Sequence, residues 1–195
     1  ACELWIQEKL EATTMEDIIP AVHIFLTSED VRNLALKTIL KNATQEIMIP
    51  EILNITEKLK ELTAHFADHP VMARTHMQPA SPTTFGKIFG NYLIRFVRAL
   101  ERLERIQLYG KINGAVGNYN AFIAAYPKLD WTGYSQKLTQ NLHVACEKWT
   151  DQRGPQRDMI EMFQAIQEVG SVGRNLAQDM SLYAGFNTIY FSKVD

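Results

Sequence analysis

The chain has 195 residues, is 46% hydrophobic and carries 20 Lys and Arg against 22 Asp and Glu, a formal net charge of −2. This is the composition of an ordinary globular protein, and the charge argues against a nucleic-acid groove that depends on bulk positive charge. Two cysteines, Cys2 and Cys146, argue against a disulfide framework and a structural zinc site, and no apolar run is long enough to span a bilayer. We therefore expect a cytoplasmic protein with no nucleic-acid, membrane or metal partner.

The first part of the chain predicts two short helices, one from Leu4 to about Glu11 and a second that ends near Ala21. A much longer helix is predicted from Ser28 to about Asp68, because apolar residues recur there at steps of three and four. Ser28 is the expected N-cap, with two acidic residues in the first turn. Pro50 lies inside this pattern and should kink the helix, because proline removes a backbone donor.

Three further helices follow in the predicted order. The first begins at Ser81-Pro82, where serine caps the helix and proline occupies its first turn, and it ends at Gly110. The second covers about Trp131 to Glu147, and the third runs from Pro155 towards Tyr190. Alternating apolar and polar residues, the pattern of a half-buried strand, are nearly absent. The sequence therefore predicts an all-α fold.

The predicted helices are unusually long for a chain of this size. Helices of about 30 to 40 residues exceed the usual ~11 to 12 residues and extend ~45 to 60 Å. A small single-chain globule cannot cover them, because their apolar stripes need other long helices alongside. We predict an elongated long-helix bundle that assembles with other copies of the chain.

The segment ARTHMQPASPTTFGK, from Ala73 to Lys87, interrupts the helical patterns with side chains that can carry chemistry. His76 can donate or accept a proton near neutral pH, and Arg74 and Gln78 could orient an anion or an amide. A hydrogen-bonded loop histidine without a catalytic role explains the local pattern equally well.

Two other non-helical stretches are candidate binding segments. Thr27 and Ser28 stand at the start of a long helix, where hydroxyls and free N–H groups can bind a carboxylate or phosphate, although an ordinary N-cap is the simpler interpretation. The segment from Gly110 to Pro127 contains three glycines together with Lys111 and Asn113. It does not match the phosphate-loop pattern, so a loop packed against a helix end is favoured.

Three segments, LTSEDVRNLA, RTHMQPASPTTFGK and GKINGAVGNYNAFIAAYPKLDW, together resemble the adenylosuccinate lyase family in its gamma-proteobacterial form, within the fumarase/aspartase superfamily. The resemblance covers nearly the whole chain. It implies β-elimination of fumarate from adenylosuccinate to leave AMP, and the same cleavage of the succinylated aminoimidazole carboxamide ribotide, in purine nucleotide biosynthesis. It also implies a homotetramer with active sites shared between subunits, and no metal or organic cofactor.

The resemblance assigns roles to individual residues. By similarity, His76 corresponds to the acid that protonates the departing nitrogen. Thr27 and Ser28 look like the pair that holds the succinyl or phosphate oxygens of the substrate. Gln152 falls where the family has a substrate-binding glutamine, with a one-residue insertion after it.

The shared glycine-rich loop adds Lys111 and Asn113 as further candidates for substrate contact. Met77 stands where the family usually has a small residue, and Arg32 replaces a more usual Asn. The superfamily's signature loop, SSxMPxKxN, which carries the serine regarded as the base, is absent from the sequence. We therefore expect a central fragment that is inactive alone, with residues 1–22 ending a small N-terminal domain. Residues 23–195 would then form a central helical-bundle domain, incomplete at its C-terminal end.

The residues also leave two alternatives open. The chain could be a helical oligomerisation module without catalysis. It could instead come from a sister lyase such as argininosuccinate lyase or fumarase, although the segment GKINGAVGNYNA speaks against that choice.

Overall fold

The computed structural model describes residues 2–154 and 156–192. The chain divides into two compact units that alternate along the sequence. Unit 1 comprises Ala1–Lys41 and Gln107–Asp158, and unit 2 comprises Asn42–Ile106 and Met159–Asp195.

Most of the described chain is helical, with seven α-helices and two small sheets in the part that the structure describes. In chain order the elements are α1 (Cys2–Leu10), a 3₁₀ helix (Glu16–Ala21), α2 (Ser28–Ala43), a π-helical turn (Thr44–Met48), α3 (Ile49–His65), β1 (Pro70–Thr75), β2 (Gln78–Thr84), α4 (Phe85–Arg105), β3 (Tyr109–Gly110), α5 (Asn120–Ala125), α6 (Trp131–Asn141), β4 (Ala145–Cys146) and α7 (Arg157–Gly185). The mostly helical character agrees with the sequence, whereas the two sheets do not.

The long helix predicted from Ser28 to Asp68 is divided at the position where a kink was expected. The π-helical turn ends just before Pro50, and the backbone N–H of Ile49 bonds to the carbonyl of Thr44, five residues earlier. Proline lacks an N–H and its ring collides with the carbonyl four residues before it, so a wider turn accommodates it. The helix ends at His65, slightly earlier than predicted.

The predicted helix start at Ser81-Pro82 is wrong. Residues 70–84 instead form an antiparallel hairpin of β1 and β2, and α4 begins at Phe85, capped by the Thr84 hydroxyl, which accepts the N–H of Lys87 at 3.1 Å. Pro79 and Pro82 favour extended backbone in the residues that precede them. Most of β2 is exposed, so it lacks the apolar alternation that would have identified a strand.

Gly110 was predicted to end the same helix, but α4 ends at Arg105 and Gly110 lies in β3. β3 pairs in parallel with β4, which also explains why α6 ends at Asn141 rather than near Glu147. A Cβ at Gly110 would lie 2.3 Å from Cδ2 of Leu34. A side chain at this position would therefore have to displace the Leu34 side chain of α2. The last helix, α7, begins at Arg157, and its predicted start at Pro155 lies outside the described residues.

Each unit has its own interior. In unit 2, α3 and α4 pack together, and the buried apolar side chains include Ile52, Leu59, Tyr92, Phe96, Leu103, Met162 and Ala165. In unit 1 the buried apolar side chains Leu34, Leu108, Phe122 and Val144 are accompanied by many buried polar ones: Asp30, Asn33, Lys37, Lys111, Asn113, Ser135, Thr139 and Asp158. Within the described ranges, no helix combines the length and the apolar character needed to cross a membrane.

Candidate active site

His76 lies at the tip of the β1–β2 hairpin in unit 2. Thr75 pairs with Gln78, so His76 and Met77 form a two-residue loop, and both have positive φ, +50° and +63°. Positive φ at both loop residues is the mark of a type I′ turn, which matches the twist of the flanking strands. The left-handed conformation costs about 1–2 kcal/mol for each residue other than glycine. The turn therefore presents an exposed imidazole in a conformation that the strands impose.

Arg74 anchors this turn. Its Nη1 donates to the carbonyl oxygen of Met77 at 3.1 Å, and its guanidinium carbon lies 4.1 Å from the ring centre of Phe186, just beyond α7. A guanidinium has five donors, so one bond to Met77 leaves others available for an anion. Arg74 thus both holds the turn and offers positive charge beside His76.

A cleft of about 260 Å³ lies between this hairpin and the end of α7, lined by Arg74, His76, Met77, Asp179, Leu182, Tyr183 and Phe186. Burial, with the nearby charge of Asp179, raises the pKa of the Tyr183 phenol above its usual value. A neutral phenol is a hydrogen-bond donor, so the cleft combines an imidazole, a guanidinium and a donating hydroxyl. Together with the Asp179 carboxylate, these groups suit a polar ligand that exchanges a proton.

A hydrogen bond from Tyr92 holds the Asp179 carboxylate in place. The hydroxyl of the buried Tyr92 donates to this carboxylate at 2.5 Å, and burial together with this bond raises the pKa of Tyr92 to about 12. Tyr92 therefore stays neutral across the physiological range and fixes the orientation of the Asp179 carboxylate.

Thr27 and Ser28 lie in unit 1 at the start of α2. The helix begins at Ser28, which puts Thr27 in the N-cap position, one residue before the predicted cap. Ser28 is exposed and Thr27 half-buried, and neither hydroxyl makes a hydrogen bond to the described part of the chain. Both hydroxyls can therefore reach a ligand, together with the positive end of the helix dipole.

Asp30 organises the backbone below these hydroxyls. Its Oδ2 accepts the N–H of Thr27 at 3.0 Å and the N–H of Gly114 at 3.1 Å, while Oδ1 accepts the N–H of Asn113 at 3.2 Å. Lys111 Nζ lies 2.9 Å from the same Oδ1, and neither side chain is exposed to solvent. The glycine-rich loop is thus packed against a helix end, in agreement with the prediction from its pattern.

Lys111 and Asn113 are occupied inside the protein. Lys111 also donates to the carbonyl of Gly114 at 2.7 Å, and the Asn113 amide nitrogen donates to the hydroxyl of Thr150 at 2.8 Å. Their contact with substrate, inferred from the resemblance, stays a prediction, and the geometry gives both residues internal partners. Gln152 follows Thr150 closely in the chain and is exposed.

The structure brings Thr27, Lys111 and Asn113 into one hydrogen-bonded cluster of unit 1, and places His76 in unit 2. Sequence reasoning missed the central position of Asp30, although the spacing Thr27-x-x-Asp30 is that of a capping box, in which the fourth residue bonds back to the cap N–H. It also missed Asp179 and Tyr183, for which no local pattern gives a signal. Among the described residues, no three potential metal ligands cluster.

Comparison with known proteins decides the family. A family model described as Lyase matches residues 4–193. The chain belongs to this lyase family.

Several curated relatives of this lyase chain are named adenylosuccinate lyase. The chain is 34% identical over 188 residues to an adenylosuccinate lyase of Escherichia coli strain K12, covering 96% of this chain and 41% of the relative. An adenylosuccinate lyase of Vibrio cholerae is 35% identical over 174 residues, covering 88% of this chain and 38% of the relative. The chain thus spans about two fifths of the length of these relatives.

Solved structures share the fold. A fumarate lyase from Mesorhizobium sp. BNC1 superimposes with a TM-score of 0.80 at 23% identity, covering 95% of this chain and 43% of that one. A 3-carboxy-cis,cis-muconate lactonizing enzyme from Pseudomonas putida gives a TM-score of 0.79 at 21% identity, covering 90% and 39%. At such identities the likeness establishes the fold of this lyase family member and leaves its substrate to be tested.

Proposed function

We propose that the intact gene product cleaves adenylosuccinate to AMP and fumarate by β-elimination, and cleaves the succinylated aminoimidazole carboxamide ribotide in the same way, in purine nucleotide biosynthesis. The proposal is supported by the relatives named adenylosuccinate lyase, which match 96% of this chain in the case of Escherichia coli. The observation that carries it is the exposed imidazole of His76 on a tight turn that Arg74 anchors by a hydrogen bond.

The reaction breaks a C–N bond, and each step needs a group of a particular kind. A base removes the proton beside a carboxylate of the succinyl group, the electron pair forms the double bond of fumarate, and the nitrogen departs with the C–N electrons. That nitrogen must then gain a proton. An imidazole is the side chain most often used for proton transfer near neutral pH, so we assign this step to His76.

The other candidate residues bind the substrate in this proposal. Thr27 and Ser28 offer hydroxyl donors and helix N–H groups to carboxylate or phosphate oxygens, and Gln152 offers an amide. The base is the serine of the superfamily's SSxMPxKxN loop, a motif that the 195 residues do not contain. The residues of this chain therefore account for binding and for protonation of the leaving group, without a cofactor.

We further propose that the long helices form an elongated bundle within a cytoplasmic homotetramer whose active sites are shared between subunits. Large apolar side chains exposed on α2 and α7 support this: Val31, Ile39, Ile160 and Phe163. Val31 and Ile39 line one apolar groove together with Leu34 and Leu138, and apolar surface of this kind marks protein interfaces. In this proposal residues 1–22 end a small N-terminal domain, and residues 23–195 belong to the bundle domain.

The test is a spectrophotometric assay of the intact gene product with adenylosuccinate, the succinylated ribotide and argininosuccinate. We expect turnover of the first two only. Turnover of argininosuccinate alone would assign the chain to the sister lyase. A tetramer by light scattering without turnover of any substrate would identify a helical assembly module and refute the proposal.

His76 is tested with a matched control. His76→Ala should lower kcat by at least about 100-fold, the usual contribution of a general acid. His143→Ala is the control, because His143 is also an exposed histidine with positive φ, +57°. The control therefore reproduces the backbone effect of the substitution, and it should retain full activity.

A further inference from the structure

The interior of unit 1 contains an ion pair fully removed from solvent. Lys111 Nζ lies 2.9 Å from Oδ1 of Asp30, with neither side chain exposed. A buried ion pair is weak support for stability, because the cost of removing both charges from water can exceed their attraction. Its best-attested use is to fix one arrangement of the surrounding chain.

One end of the cluster is the start of α2. Asp30 accepts the backbone N–H of Thr27 at 3.0 Å, so the carboxylate sets the conformation of the residue whose hydroxyl is a candidate ligand contact. Asn33, one turn further along α2, exchanges two hydrogen bonds with the backbone of Lys111, at 2.9 Å and 3.0 Å. These bonds lock the glycine-rich loop to α2.

The other end of the cluster is the segment that carries Gln152. The Asn113 amide nitrogen donates to the Thr150 hydroxyl at 2.8 Å, and that hydroxyl lies 3.1 Å from the Asn113 oxygen. Lys111 Nζ also points at the carbonyl of Asp151 at 3.5 Å. Gly117 lets the two segments approach closely, since a Cβ there would lie 1.9 Å from the carbonyl oxygen of Thr150.

We propose that Asp30, Lys111, Asn113 and Thr150 are positioning residues that hold two candidate substrate-binding segments, Thr27–Ser28 and the Gln152 loop, as one preformed half-site. The inference rests on the proposed function for what the half-site binds. It assigns Lys111 and Asn113 a role different from direct contact. Pre-organisation of this kind keeps the substrate-binding groups in place before substrate arrives, so less conformational entropy is lost on binding.

Thr150→Val tests the proposal with the least change of shape, since it replaces a hydroxyl by a methyl group. We expect KM for adenylosuccinate to rise about tenfold with kcat within about twofold, because the residue affects binding and leaves the proton donor untouched. Thr150→Ser keeps the hydroxyl and should retain the wild-type KM. A purely structural residue would lower the active fraction, and with it the apparent kcat, without raising KM.

Thr139→Val is the matched control. Thr139 is also buried in unit 1, but its hydroxyl bonds to the carbonyls of Ser135 and Gln136, both at 3.0 Å, and to the Cys146 thiol. None of these partners belongs to the cluster. This variant removes a buried threonine hydroxyl outside the cluster, so KM should stay at the wild-type value. An equal rise of KM in both variants would overturn the proposal.

Hydrogen–deuterium exchange of the same variants gives a second measurement that needs no activity. In Thr150→Val the amides of residues 27–30 and of residues 151–154 should both exchange faster than in the wild type, whereas Thr139→Val should leave both stretches unchanged. Faster exchange confined to residues 151–154 would overturn the proposal that the cluster couples this stretch to residues 27–30. Absence of turnover in the wild type would refute the proposed function, while the exchange data would still decide the coupling.

Discussion

The base of the hairpin that carries His76 depends on one glycine of α4. Gly86 is the second residue of α4, which follows the hairpin, and its N–H donates to the carbonyl of Phe66 at 2.8 Å. A Cβ at this position would lie 2.6 Å from the Cα of Ala67 and 2.6 Å from the carbonyl oxygen of Thr63. Both are backbone atoms that cannot rotate away. Gly86→Ala must therefore push α3 and α4 apart.

Gly90→Ala, one turn further along α4, is the matched control for the stability effect of Gly86→Ala. A Cβ there would meet only the Thr63 side chain, its methyl at 3.4 Å and its hydroxyl at 3.8 Å, which is ordinary contact. Gly90→Ala should stabilise the protein by about 0.5–1 kcal/mol, because alanine loses less backbone entropy in a helix. Gly86→Ala should gain the same stabilisation from backbone entropy, but the overpacking against α3 should destabilise it by about 1–3 kcal/mol. The two variants should therefore differ by that cost.

The difference is measured by thermal unfolding followed by circular dichroism. For a chain of this size about 1 kcal/mol shifts Tm by roughly 2–4 °C, so Gly86→Ala should melt about 2–12 °C below Gly90→Ala. Equal melting temperatures would refute the close approach of α3 and α4 at Gly86, and with it the account of how the hairpin is positioned.

Two further predictions concern buried polar groups. Lys111→Met leaves Asp30 buried without a counter-ion and should lower the free energy of unfolding by about 3–5 kcal/mol in urea titrations; a loss below about 1 kcal/mol would contradict the buried pair. The pKa of Tyr92 is raised from 10.0 to about 12, so its neutral form stabilises the fold fully below pH 10 and this contribution is lost as the pH rises through 12. Between pH 10 and pH 12 the free energy of unfolding of the wild type should fall by about 1–2 kcal/mol more than that of Tyr92→Phe. If the free energies of unfolding of the two proteins changed in parallel with pH, that result would count against the Tyr92–Asp179 bond.

The helices were predictable because their apolar residues repeat with the period of a helix. The stripe from Ser28 indicated α2 and α3 together, and the proline inside it marked the place of the π-helical turn. The hairpin was not predictable in the same way. Strands are recognised by apolar alternation, and β2 is too exposed to show it. The two-residue loop at His76 and Met77 also lacks the Asn-Gly pair that usually signals such a turn.

The candidate site was predictable only where a residue's type is informative in its local setting. Hydroxyls at a helix start drew attention to Thr27 and Ser28, and a histidine in a helix break drew attention to His76. Their roles toward substrate stay predictions. The identity of Lys111 was visible too, but its burial depends on Asp30, 81 residues earlier in the numbering, and no local pattern encodes that pairing.

The central claim is that the imidazole of His76 protonates the departing nitrogen of adenylosuccinate. The most direct test adds free imidazole to His76→Ala and follows adenylosuccinate cleavage. The account predicts a loss of at least about 100-fold in kcat that added imidazole partly restores, because the dissolved imidazole can supply the missing proton. Undiminished turnover in His76→Ala, without any added imidazole, would contradict it.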